Sequence, residues 1–289
     1  MMNRGNEITS DMDPAFLLAW HVEMGADEAI GFDPVDRFTA PSAPEIRMPA
    51  APRPAAADGA PRTVADIVAP TVPVAGPRVI EARPVQSVIG AGPAEAVRVA
   101  ASCNNLEELR AAIEAFDGGT LKRGAKCTVF ADGVPGAPLM VVGEAPGADE
   151  DREGRPFVGA SGQFLDRMLA AAGLSRQSNV YISNVVPWRP LGNRTPDPAV
   201  IAMCLPFLMR HIELAKPQAL LLVGKVPTGA LFGSDDGITR LRGKMRDITA
   251  GGLTLPAMPT YHPAFLLRQP AQKGQAWRDL LTIRERLTL

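Results

Sequence analysis

Three short polar runs carry most of this chain's capacity for chemistry. The first joins Gly143-Glu144-Ala145-Pro146-Gly147-Ala148-Asp149-Glu150-Asp151 to Gly154-Arg155-Pro156-Phe157-Val158-Gly159. The second holds Asn184 in an apolar stretch, and the third is His262-Pro263-Ala264-Phe265-Leu266-Leu267-Arg268. Together they offer a carboxylate, an aromatic ring, an amide and an imidazole, groups able to exchange protons and to hydrogen-bond a polar ligand. There is no GxGxxG and no Walker lysine, which argues against a nucleotide-binding enzyme built on the first of these loops.

Such groups act together only if the fold brings them together. Short apolar segments at 139–142, 180–186, 219–223 and, more weakly, 255–260 read as strands. Helical stretches at 164–172, 197–214, 226–232 and 273–287 separate and follow them. The alternation predicts an α/β fold of three layers, α/β/α, around a central, mostly parallel four-stranded sheet. All three polar runs then fall in loops at the carboxyl ends of strands, where open α/β sheets bind ligands. Before the first strand, Asn104 or Asn105 can cap a helix that carries Leu106, Leu109, Ile113 and Phe116 on one stripe.

The N-terminal third reads differently. Phe16, Leu17, Trp20 and Met24 fall at helical spacing, giving a short helix with one apolar face. From 41 to 93 the chain holds eleven prolines and no sustained period, the composition of a disordered, extended linker. The predicted organisation is a helix plus linker over 1–100 and a catalytic domain over 101–289. Removal of residues 1–95 is expected to leave that domain folded and active, the short helix being a docking segment for an unidentified partner.

Composition sets outer bounds. With 46% apolar residues the 289-residue chain can bury a substantial core. The formal charge of -1 conceals a split: residues 1–100 hold 8 Lys and Arg against 13 Asp and Glu, and the remainder holds 22 against 18. A mildly basic domain suits a polyanion, a weak indication by itself. No run approaches the roughly 18 apolar residues of a membrane span, and the first residues lack the order of a signal peptide. Three scattered cysteines with no CxxC pair read as reduced thiols. A cytoplasmic monomer is expected.

The stretch from 106 to 287 resembles the family 4 uracil-DNA glycosylases. The run GEAPGADEDREGRPFVG, the strand with Asn184, Gly192-Asn193-Arg194-Thr195-Pro196 and HPAFLLR occur in that family's order and at its spacing. The resemblance implies an enzyme of base excision repair that flips uracil out of DNA and hydrolyses its N-glycosidic bond, leaving an abasic site. Uracil-containing DNA is the implied partner. Phe157 resembles the family's stacking platform, and Asn184 the amide that reads uracil O4 and N3–H. Glu150 matches an acidic position near the C5 edge, where thymine's methyl would collide. Leu266, Leu267 and Arg268 resemble the intercalating loop, although alone they would read as the start of an amphipathic helix. Arg189 and Arg194 are placed to hold phosphates. Hydrolysis passes through an oxocarbenium-like sugar while uracil leaves as an anion. Glu144 is therefore expected to orient water or stabilise the cation, and His262 to donate near uracil O2. Ala145 stands where other uracil glycosylases carry a catalytic aspartate.

Members of that family typically hold a [4Fe–4S] cluster on four cysteines. The corresponding positions here are Phe116, Gly119, Trp188 and Cys204; Cys103 and Cys127 lie elsewhere. The expectation is no cluster and no other metal or cofactor, with Phe116 and Trp188 filling the region. A related group bonds to the abasic sugar through a histidine in a basic inserted loop. Residues 190–198 contain no histidine, so covalent capture is not expected. The rival reading is a non-catalytic protein that binds uracil or abasic sites on the same fold, against which Glu144, Asn184 and His262 all speak.

Overall fold

The computed structural model describes residues 14–23 and 91–288, so most of the Pro/Ala-rich stretch, and Met24, lie outside the described residues. In chain order the elements are α1 (Pro14–Glu23), α2 (Pro93–Ser102), α3 (Leu106–Ala115), α4 (Gly119–Gly124), β1 (Asp132–Gly133), β2 (Leu139–Gly143), α5 (Ala148–Glu153), α6 (Ala160–Ala171) and β3 (Val180–Asn184). They continue with α7 (Pro198–Ala215), β4 (Ala219–Val223), α8 (Lys225–Phe232), α9 (Ile238–Leu241), β5 (Arg246–Ala250), β6 (Leu253–Thr260), α10 (Pro263–Arg268) and α11 (Lys273–Arg284).

The strands form one sheet of order β1-β3-β2-β4-β6-β5. Its inner four are parallel, the four legible in the sequence. The sheet has six strands rather than four because β1 and β5 add antiparallel edges. β1 is only two residues long. β5 exposes Arg246, Asp247 and Thr249 and buries only Ile248 and Ala250, the half-polar alternation of an edge strand.

Every residue of β2, β3 and β4 is buried, because helices cover both faces; this is why those strands read as unbroken apolar runs. The pleat sends Leu139, Val141, Ile182 and Leu221 into one core with α6 and α11. It sends Met140, Val142, Tyr181 and Leu222 into the other with α2, α3 and α7. By length and composition α7 alone among the described helices could cross a bilayer. Instead Met203, Phe207, Leu208 and Ile212 bury it against the sheet, so its apolarity belongs to a core helix.

Two observations revise the reading of the N-terminal third. α2 packs on α7 through Ala96 and Ala100, so the folded domain begins before residue 101, and a cut after residue 95 would remove the first turn of a packed helix. Small alanines allow that close approach but carry too little hydrophobic signal to stand out beside the Pro/Ala-rich stretch. α1, for its part, docks on its own chain. Trp20 is 2% exposed, its ring 6.0 Å from Phe164 and 5.8 Å, edge-on, from Trp277. Trp20→Ala is expected to lower the thermal midpoint, at a cost bounded by the about 3–5 kcal/mol typical of a core aromatic-to-alanine change. Calorimetry of the full chain checks this, and an unchanged midpoint would mean that α1 contributes nothing to the fold.

Candidate active site

Parallel pairing of β2 with β3 sets Gly143 opposite Asn184, so both strands deliver their polar runs to one edge of the sheet. β6 brings His262 to the same edge. The end of β6 is pinned by Thr260, whose hydroxyl donates to Asp279 on α11 at 2.8 Å, while Arg242 pairs with the same carboxylate. The result is a cavity of about 630 Å³ whose walls include Glu144, Ala145, Glu150, Phe157, Asn184 and His262. Arg194 and Arg268 stand on its rim. Eight of the eleven candidate site residues line this opening; Arg189 and Leu267 each neighbour a lining residue in the chain, and Leu266 does not reach it.

The floor is built by close packing. An added Cβ on Gly143 would lie 2.3 Å from Asn184 Oδ1 and 2.6 Å from the Phe157 ring, so only glycine leaves room for both at the end of β2. Asn184 is buried, and its Oδ1 accepts no hydrogen bond among the described residues. A buried amide oxygen without a donor is costly, and a ligand N–H arriving there would relieve that cost. Phe157 has φ of 54°, left-handed backbone that costs a residue with a side chain about 1–3 kcal/mol. This conformation turns its ring into the pocket, stacked 5.7 Å from the imidazole of His262.

His262 caps α10, and its Nδ1 accepts the Ala264 N–H at 3.1 Å. A neutral imidazole with Nδ1 so occupied carries its proton on Nε2, which can only donate. Burial and the nearby Arg268 push its pKa down to about 4, against a weaker upward pull from Glu150, so the neutral ring prevails at pH 7. The Glu144 carboxyl is raised above its ordinary value by burial, and a hydrogen bond from Thr195 offsets part of that rise. Glu150 lines the cavity and also braces its loop. Its carboxylate accepts from the backbone N–H groups of Gly147, Val158 and Gly159 at 3.1, 2.9 and 3.0 Å, tying the two halves of the first polar run together.

The intercalating triplet is corrected by burial. Leu266 is 0% exposed and belongs to the α6/α11 core, because α10 buries its first and fourth residues, Pro263 and Leu266, to anchor itself. Leu267 is 41% exposed and Arg268 reaches the rim, so those two face outward. Arg189 is held by Asn193 at 2.8 Å in a turn whose Leu191 is 84% exposed. Thr195, to which the sequence assigns no role of its own, hydrogen-bonds Glu144, and Arg176 sits in no motif and declares itself only through its partners.

The positions of the family's cluster ligands do not fit a cluster. Phe116 packs edge-on against Phe207 at 4.9 Å. Trp188 is wholly buried, donates to Thr128 at 2.9 Å, and fills the space beside Gly118. Cys204 is buried and its pKa is pushed up to about 12, keeping it a thiol. Cys103 and Cys127 donate instead to the carbonyls of Val99 and Asp151. Among the described residues no three His, Cys, Asp or Glu side chains converge as metal ligands.

Comparison with known proteins places this geometry. The family model of the uracil DNA glycosylase superfamily matches residues 130–281. The chain is 37% identical over 180 residues to a type-4 uracil-DNA glycosylase of Pyrobaculum aerophilum, covering 61% of this chain and 91% of that protein. It is 40% identical over 159 residues to the type-4 enzyme of Sulfurisphaera tokodaii, covering 53% and 72%.

Proposed function

This chain belongs to the uracil-DNA glycosylase superfamily, and from that premise we propose that it is a repair enzyme that hydrolyses the N-glycosidic bond of uracil in DNA, leaving an abasic site. The observation that carries the reading is the pairing, in one pocket, of the unpartnered Asn184 Oδ1 with an imidazole already committed at Nδ1. Uracil supplies a donor at N3 for the first and an acceptor at O2 for the Nε2–H of the second.

The sequence of events follows from these groups. Rotating a nucleotide out of the duplex costs a few kcal/mol. Leu267 fills the gap and Arg268, Arg189 and Arg194 hold phosphates, while Leu266 anchors the helix that carries the wedge. The flipped base stacks on Phe157, a contact worth about 1–3 kcal/mol, and Asn184 pairs with N3–H and O4. As the C1′–N1 bond breaks, its electron pair goes to uracil, where His262 stabilises the charge on O2. Glu144 faces the sugar, stabilising the cation and orienting the water whose oxygen bonds to C1′; the released proton passes to solvent. Ala145 leaves space beside that water, and the Glu150 side chain bounds the C5 edge while fixing the loop. The test is release of free uracil from a single-uracil oligonucleotide in EDTA, read by chromatography. Tight binding without release would instead identify a damage-binding protein.

The same reading places the enzyme in the cytoplasm with its DNA and holds that it folds and works without the family's cluster. The aromatic residues replace what ligation would contribute: Trp188→Ala should cost about 3–5 kcal/mol of stability, whereas Cys103→Ser and Cys127→Ser should scarcely alter activity. Iron analysis and a visible spectrum of anaerobically purified protein decide the matter, and stoichiometric iron would overturn it while sparing the glycosylase assignment.

A further inference from the structure

Arg176 follows α6 in the loop that leads to β3, far from every motif, yet its buried guanidinium sits directly behind the Phe157 platform. Four of its five N–H groups donate hydrogen bonds, and Nη2 also lies in ion-pair contact with a carboxylate. Nε and Nη2 reach Asp166 Oδ1 at 2.9 and 2.8 Å, and Nη1 reaches Asp132 Oδ2 at 2.8 Å. The remaining donors go to backbone: Nη1 to the carbonyl of Pro156 at 3.0 Å and Nη2 to that of Phe157 at 2.8 Å. The opposite side of the Phe157 carbonyl is closed by α6, where an added Cβ on Gly162 would stand 1.9 Å from that oxygen. One peptide group is therefore clamped from two sides, and it belongs to the residue whose left-handed backbone aims the ring into the pocket.

We propose that Arg176 is a positioning residue for base recognition, holding the Pro156–Phe157 backbone so that the Phe157 ring lies in the plane on which uracil stacks. Relaxation of the Phe157 backbone towards an ordinary φ would swing the ring away from Gly143 and His262, which it touches only from its present conformation. Two carboxylates from separate elements, Asp132 on β1 and Asp166 on α6, orient the guanidinium; Arg155 also approaches Asp132, at 3.8 Å. A lysine could keep one ion pair but lacks the planar fork needed to reach both carbonyls.

The proposal rests on Phe157 being the stacking platform, so its test is a double-mutant cycle in the full chain with free uracil as the probe. Phe157→Ala, Arg176→Lys and the double variant are compared by the inhibition constant of uracil in the excision assay and by thermal midpoint. Phe157→Ala alone should weaken uracil inhibition by about tenfold, within the range of a lost stack. Arg176→Lys should weaken it comparably in the parent chain but hardly at all when Phe157 is already alanine, although the midpoint falls equally in both. Equal losses of inhibition in both backgrounds would overturn the proposal and reduce Arg176 to a structural residue. An unchanged constant in Phe157→Ala would overturn the stacking reading itself, and the proposal with it. Should Arg176→Lys fail to fold, Asp166→Asn loosens the same guanidinium from a half-exposed position; its weakened inhibition should likewise require Phe157, and independence from Phe157 would overturn the proposal.

Discussion

Alanine at position 262 is expected to slow single-turnover uracil release by about 10²–10³-fold, the loss typical when one donor to a developing oxyanion is removed. Affinity for uracil-containing DNA should change little, because the donor matters most as charge reaches O2. The pH dependence distinguishes this role from that of a titrating acid. Burial holds the imidazole at about 4, so its proton has already left well below pH 6.5 and the ring stays neutral from there upward. No histidine limb should therefore appear near pH 6.5. Glu144, raised by burial, should supply the acid limb above the ordinary carboxylate value, the rate falling as pH falls through it and the carboxylate is neutralised. The pH profile of the chemical step tests both statements. A limb near 6.5 that vanishes in His262→Ala would show that the imidazolium, not the neutral ring, does the work.

Asn184→Asp should have an effect at least as large. An ionised carboxylate has no N–H for uracil O4 and places negative charge against it in a buried site. Mismatches of this kind reject a ligand by about 10⁴-fold, and uracil excision should fall by roughly that factor. Cytosine, whose exocyclic amine can donate to a carboxylate, should gain relative to uracil. The ratio of kcat/KM for the two bases in matched oligonucleotides reads this out directly. Retention of uracil excision within about tenfold would remove Asn184 from base recognition.

The parallel heart of the fold was legible because its strands are buried on both faces, so that Leu139, Met140, Val141 and Val142 form a continuous apolar signal. The edges were not. β5 mixes Arg246 and Asp247 with Ile248, and its pairing depends on a hairpin partner that propensity alone does not specify. α2 was missed because Ala96 and Ala100 bury through proximity rather than bulk. In the pocket, residues with distinctive chemistry at strand ends stand out in the sequence as candidates, and the fold gathers them around one cavity. Leu266 could not be told from Leu267, because facing inward or outward on a six-residue helix is decided by what the helix packs on. Arg176 was invisible for a related reason: its acceptors come from positions 10 to 44 residues away in the chain, and no local pattern encodes them.

α10 is short, and His262 is its cap. The carbonyl of His262 accepts from Phe265 and Leu266, so the imidazole, the core anchor and the outward Leu267 and Arg268 ride on one rigid turn and a half. An insertion or deletion in that segment would rotate everything beyond it by about 100° per residue. A mutation changing the reach of the wedge in this way would exchange Leu266 for a solvent-facing position or drive Arg268 into the core. Substitutions at Leu267 or Arg268 leave the turn intact, whereas a change of length does not. The length of this corner is thereby tied to the packing of Leu266, a constraint that a free surface loop would not carry.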